Sequence, residues 1–86
     1  MATATADQIR AHVNRKYIEP ARRAGKTDVV VLAGDVHSDL KLENRMPAVC
    51  TALDAQKFQD KYRVVLTARG GPKQSSTAMW RFSIKR

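Results

Sequence analysis

No aspartate or glutamate follows Asp60, and the chain has a single cysteine, two histidines and few aromatic residues. Each shortage removes a class of function. Cys50 alone cannot form an intramolecular disulfide, which fits a reducing compartment. His12, His37 and Cys50 stand at wide, irregular spacing and match no zinc pattern, so no metal is expected. Aromatic residues make up 6 % of the chain, and Trp80 and Phe82 read as buried. That leaves no stacking platform for single-stranded nucleic acid. No apolar run approaches the roughly 18 residues of a membrane span. Residues Met1–Asp7 lack the basic and apolar segments of a signal peptide. There is no phosphate loop and no dinucleotide fingerprint, because Gly70-Gly71 falls at a hairpin tip and not at a strand-to-helix turn. A Cys50/His37 nucleophile pair would need a cleft that so small a chain can hardly build. Asp35, Asp39, Glu43 and Asp54 fall mostly at helix starts, where carboxylates cap. No catalytic residue, no cofactor and no enzyme activity are expected.

What is present is positive charge, unevenly spread. The 86 residues suit one domain with a thin core, burying about 60 % of the unfolded surface. The 43 % hydrophobic content is too high for a disordered chain. The net charge is +8. Residues 1–26 hold six basic and two acidic side chains, residues 27–62 four and six, and residues 63–86 six and none. A C-terminal third without carboxylates reads as a surface for polyanions.

The hydrophobic pattern places the elements. Thr5 or Asp7 can cap a first helix, with Ile9, Val13 and Tyr17 on one stripe and Arg10, Asn14 and Arg15 directed elsewhere. Pro20 disfavours helical geometry at Glu19, so a kink or break is expected there. Ala21–Ala24 gives a further turn, and Gly25 reads as its stop. Val29–Leu32 is a β-branched run, hence a strand. Asp35 is the expected N-cap of a short helix over about 35–41. Leu42–Arg45 is a turn, with Asn44 capping a third helix that carries Pro47 in its first turn. Val49, Ala52, Leu53 and Phe58 face inward. Two strands follow. Trp80, Phe82 and Ile84 alternate with Arg81, Ser83 and Lys85, while Val64, Leu66 and Ala68 share one face of the partner. The loop Gly70–Ser76 is polar and should project.

This order of helix, strand, helix, helix, strand, loop, strand over about residues 5–85 resembles the winged helix-turn-helix family. The resemblance implies an α+β fold: a three-helix core, a small antiparallel sheet and a C-terminal β-hairpin wing. Residues 1–86 then form one domain, with 1–5 as a flexible N-terminus. It further implies a non-catalytic, double-stranded DNA-binding protein that places the helix after the turn in the major groove.

Candidate DNA-binding residues follow. Asn44 and Arg45 sit at the N-terminus of that helix, where side chains reach base edges. Arg suits guanine and Asn suits adenine. Thr51, Gln56 and Lys57 lie further along and suit phosphates. In the wing, Arg69, Lys73, Gln74, Ser75 and Ser76 are all donors. Arg22 and Arg23 on the first helix form a second basic group. A transcription regulator, with a homodimer left open, and a nucleoid-associated protein fit equally. Both imply a cytoplasmic protein on the nucleoid. A winged-helix protein-interaction module and an RNA-binding protein are the alternatives.

Overall fold

A computed structural model describes residues 5–42, 46–71 and 78–85. The elements run α1 (Ala6–Val13), a π-helical segment (Asn14–Ile18), α2 (Glu19–Arg23), β1 (Asp28–Leu32), α3 (Ala33–Asp39), α4 (Met46–Asp54), α5 (Gln56–Tyr62), β2 (Val64–Gly70) and β3 (Met79–Ile84). The first three form one helical run. The domain is a small α+β unit of four helical rods and a three-stranded antiparallel sheet in the order β1-β3-β2.

Thr5 starts the helical run with a capping box. Its hydroxyl accepts from Gln8 N–H at 3.2 Å while Gln8 Oε1 accepts from Thr5 N–H at 2.8 Å. The expected break at Pro20 does not occur. Glu19 keeps helical angles (φ −61, ψ −45) and donates to the Asn14 carbonyl, five residues back. The wider π spiral has already opened the spacing where the proline ring enters, so the ring meets no tight α-helical turn. The added residue also moves the inner stripe. Ile9, Val13, Ile18 and Ala21 are buried, and Tyr17 is displaced to the flank. Gly25 ends the run in the left-handed region (φ 78). Lys26 N–H reaches Ala21 O at 2.9 Å and Gly25 N–H reaches Arg22 O at 3.1 Å, the two bonds of a Schellman motif.

α3 begins at Ala33, two residues before the expected cap. Asp35 lies in its first turn, and Leu32 holds the cap position without a side-chain bond. Strand β1 feeds the helix directly, so the backbone and not a side chain sets the start; Ala33 N–H still bonds Ala78 O at 2.9 Å. Lys41 (φ 53) closes α3 in the manner Gly25 closes α2. α4 carries Pro47 in its first turn, as expected.

The core lies between the sheet and the helices. Trp80, Phe82 and Phe58 are its largest buried side chains. The Phe58 and Phe82 rings are 5.2 Å apart, an aromatic pair adding about 0.5–1.5 kcal/mol to its burial. Arg10, expected to point outward, is 7 % exposed. Its Nε donates to Ala52 O at 2.9 Å, a carbonyl in the last turn of α4 that has no partner within the helix. This bond ties α1 to α4. On the opposite sheet face Val30, Leu32 and Val65 are exposed.

Strand β2 contains a bulge. Leu66 pairs with Phe82 but Ala68 pairs with Arg81, so Thr67 is the extra residue. One inserted residue reverses every side chain beyond it. Val64 is buried and Leu66 half-buried as expected, whereas Ala68 is turned outward and exposed.

Candidate nucleic-acid interface

The bulge decides what happens to Arg69. In an unbroken strand it would face outward as a free donor. With Thr67 inserted it pairs across with Trp80 on the inner face. Its guanidinium lies 4.6 Å from the Trp80 ring centre, a cation–π stack. Arg69 Nε donates to Asp54 Oδ1 at 3.3 Å, and Trp80 Nε1 donates to the same oxygen at 2.6 Å. Another Arg69 nitrogen donates to the Gly70 carbonyl at 3.1 Å. The side chain expected to grip phosphate therefore joins the end of α4 to the base of the β2–β3 connection.

Arg22 is spent in a similar way. It donates to Glu19 at 2.9 Å and to the carbonyls of Tyr62 and Arg63 at 3.0 and 3.3 Å. It locks α2 to the end of α5. Arg23 is exposed. Thr51 and Lys57 are exposed on α4 and α5. Gln56 is exposed and bonds Asp60 along α5 at 3.2 Å. Asn44, Arg45, Lys73, Gln74, Ser75 and Ser76 lie outside the described residues. The fold therefore brings Thr51 and Lys57 onto the surface of the consecutive helices α4 and α5. Arg69 is held at the far end of α4, and Arg22 and Arg23 come from α2.

The sequence groups Asp39 with carboxylates expected to cap helix starts, but it is the last residue of α3. This carboxylate, at the end of α3, accepts from Lys16 at 2.7 Å and Tyr17 at 2.5 Å, and its Oδ2 lies 3.1 Å from His12 Nε2. Burial alone would raise its pKa, but the bonds from Lys16, Tyr17 and His12 outweigh burial and bring it down to about 2. Tyr17 moves the other way. Burial, then its bond to Asp39, then the charges of Asp39 and Asp35 push its hydroxyl above the ordinary 10.0. The cluster holds the helical run to α3 and keeps Tyr17 a neutral donor. No sequence signal marked it: Tyr17 moves to the flank of the core because the π segment adds a residue.

Lys61, Arg63 and Lys85 are not among the residues singled out from the sequence as candidates. All three converge with Arg22 at the sheet end opposite the β2–β3 connection. Among the described residues no group of three or more histidine, cysteine or carboxylate side chains is placed to hold a metal, and no helix is long and apolar enough to cross a membrane. No protein-family model, curated protein or solved structure matches the chain.

Proposed function

We propose that this chain is a winged-helix protein that binds double-stranded DNA without catalysis. The observation that carries the reading is the sheet order β1-β3-β2, with α3, α4 and α5 between β1 and β2. That sheet order is compatible with a winged helix, in which the β2–β3 connection would serve as the wing. The charge supports it: residues 63–86 contain six basic and no acidic side chains.

In this reading Asn44 and Arg45 precede α4 and approach base edges as α4 enters the major groove. Thr51 and Lys57 hold phosphates beside it. Lys73, Gln74, Ser75 and Ser76 contact the backbone from the wing, and Arg23 adds a cation from α2. Arg69 and Arg22 act as braces for these elements. Such a protein works in the cytoplasm, on the nucleoid, as a transcription regulator or an architectural protein. One observation favours the architectural role: α4 itself, Met46–Asp54, carries no lysine or arginine.

Duplex retardation measured across a salt series tests the reading. Log affinity should fall against log salt with a slope of about −0.9 per phosphate contacted. Absence of retardation at low salt would sink it. Arg45→Ala should then cost about 1–3 kcal/mol at one site and relax preference there if bases are read, whereas Lys73→Ala should weaken all duplexes alike. A protein-interaction module would lose nothing on DNA from either change.

A further inference from the structure

Between α2, the end of α5 and the end of β3 lies an open groove of about 530 Å³. Arg22, Lys61, Arg63 and Lys85 line it, Asn14 forms part of its wall, and Glu19 is its one carboxylate among the described residues. Glu19 is already taken by Arg22 at 2.9 Å. Among the described residues Lys61, Arg63 and Lys85 form no ion pair with any carboxylate. Lys61 Nζ lies 5.5 Å from the Tyr62 ring centre.

Arg63 is the informative member. Its backbone is fixed on every side. It stands in the left-handed region (φ 58), its N–H donates to Gln59 O, and its carbonyl accepts from Lys85 N–H at 3.0 Å and from Arg22 at 3.3 Å. Glycine adopts that backbone with less strain than any residue bearing a Cβ. Among the described residues nothing bonds the Arg63 guanidinium. The fold thus pins the backbone of a residue whose guanidinium it does not bond, in the lining of a groove with three other cations.

We propose that this groove is a phosphate-binding site. Its net side-chain charge suits a group that carries close to two negative charges and several acceptor oxygens, and Arg63 supplies a fork that matches two of those oxygens. A carboxylate offers less charge and fewer acceptors to the same four cations. The seven residues of β2 separate the groove from the β2–β3 connection by about 20 Å, so it is distinct from the wing surface. The phosphate can come from a small phosphate monoester, whose own charge approaches −2, or from successive phosphodiesters of a nucleic-acid backbone, each of which carries one charge. The proposal stands on the groove alone and does not need the DNA reading to hold.

Titration of the full ¹⁵N-labelled chain at constant ionic strength tests it, with inorganic phosphate in one arm and a short DNA duplex in the other. Saturable amide shifts at Lys61, Tyr62, Arg63 and Lys85 are expected in at least one arm. Saturation by phosphate identifies a free phosphate source, and saturation by duplex alone identifies a nucleic-acid backbone. Arg63→Gly should keep the fold and weaken that binding about fivefold, one exposed cation's share. The double change Lys61→Gln with Lys85→Gln should weaken it further. No saturable shift in either arm, or unchanged affinity in Arg63→Gly, overturns the site. Retained phosphate shifts with no duplex retardation would sink the DNA reading and leave this one standing.

Discussion

Arg63 and Arg69 stand at the two ends of strand β2 and meet opposite fates. At the wing end Arg69 is stacked on Trp80 and bonded to Asp54 and the Gly70 carbonyl. At the other end Arg63 has a pinned backbone and, among the described residues, an unbonded guanidinium. Both count equally toward the net charge of +8. The difference teaches that a surface for anions is found by asking which cations remain unpaired, not by counting them. Asp54, which holds Arg69, decides one end; at the other, among the described residues, Glu19 alone lines the groove as a carboxylate and is taken by Arg22.

The largest expected break is at the wing end. Trp80→Ala should cost about 3–5 kcal/mol in thermal or urea unfolding, because it empties the core and removes the platform under Arg69. Truncating the Arg63 side chain itself should cost nothing comparable. Next comes Asp39, the carboxylate with the most partners. Its pKa falls on folding from 3.8 to about 2, so the unfolded chain takes up the proton first. The stabilisation is fully present above about pH 5 and declines as the pH falls through 3.8 toward about 2; it amounts to about 2 kcal/mol. Asp39→Asn should flatten that acid limb in a pH series of unfolding midpoints. Asp54→Ala should cost about 1–2 kcal/mol, since it leaves the Trp80 indole N–H without its acceptor. It should also release Arg69 and raise duplex retention at low salt. If retention falls, Arg69 is a brace alone. Arg63→Gly should raise stability by about 1 kcal/mol, the relief of left-handed strain, read as a higher melting temperature. Lys57→Ala is the smallest: unfolding should shift by no more than about 0.5 kcal/mol while duplex affinity drops.

Much of the fold was legible because its signals are local. The alternation of Trp80, Phe82 and Ile84 identified β3 and its inner face, and the Val29–Leu32 run identified β1. Gly25 marked a helix end, and Pro47 fell in a first turn. The misreadings share one cause. The π segment and the Thr67 bulge each insert a single residue, which changes the facing of side chains while leaving composition and propensity untouched. Ile9, Val13 and Tyr17 fit a regular helix well, so nothing in that stretch announced that Ile18 would take the inner place. Val64, Leu66 and Ala68 fit a regular strand equally well, so Arg69 read as a free donor. Of the candidate site, surface positions such as Lys57 and Arg23 were placed correctly. The pairing of Arg22 and Arg69 was not, because their partners lie 40 and 15 residues away in the chain. Asp39 was hidden for the same reason, with partners 22 to 27 residues distant.

The π segment also sets a rule for how this helix tolerates change. An α-helix advances about 100° per residue, so one residue gained or lost turns all that follows by more than a quarter of a circle. Ala21 and Arg22 are in phase with the core and with the Tyr62 and Arg63 carbonyls only because that extra residue is present. The stretch Asn14–Ile18 works as a vernier between two faces. Its solvent-side Arg15 is exposed and open to substitution, and Lys16, though exposed, is less so because it bonds Asp39. Its length is not: deleting one residue there should straighten the helix and uncouple both faces, a heavier blow than replacing either exposed side chain.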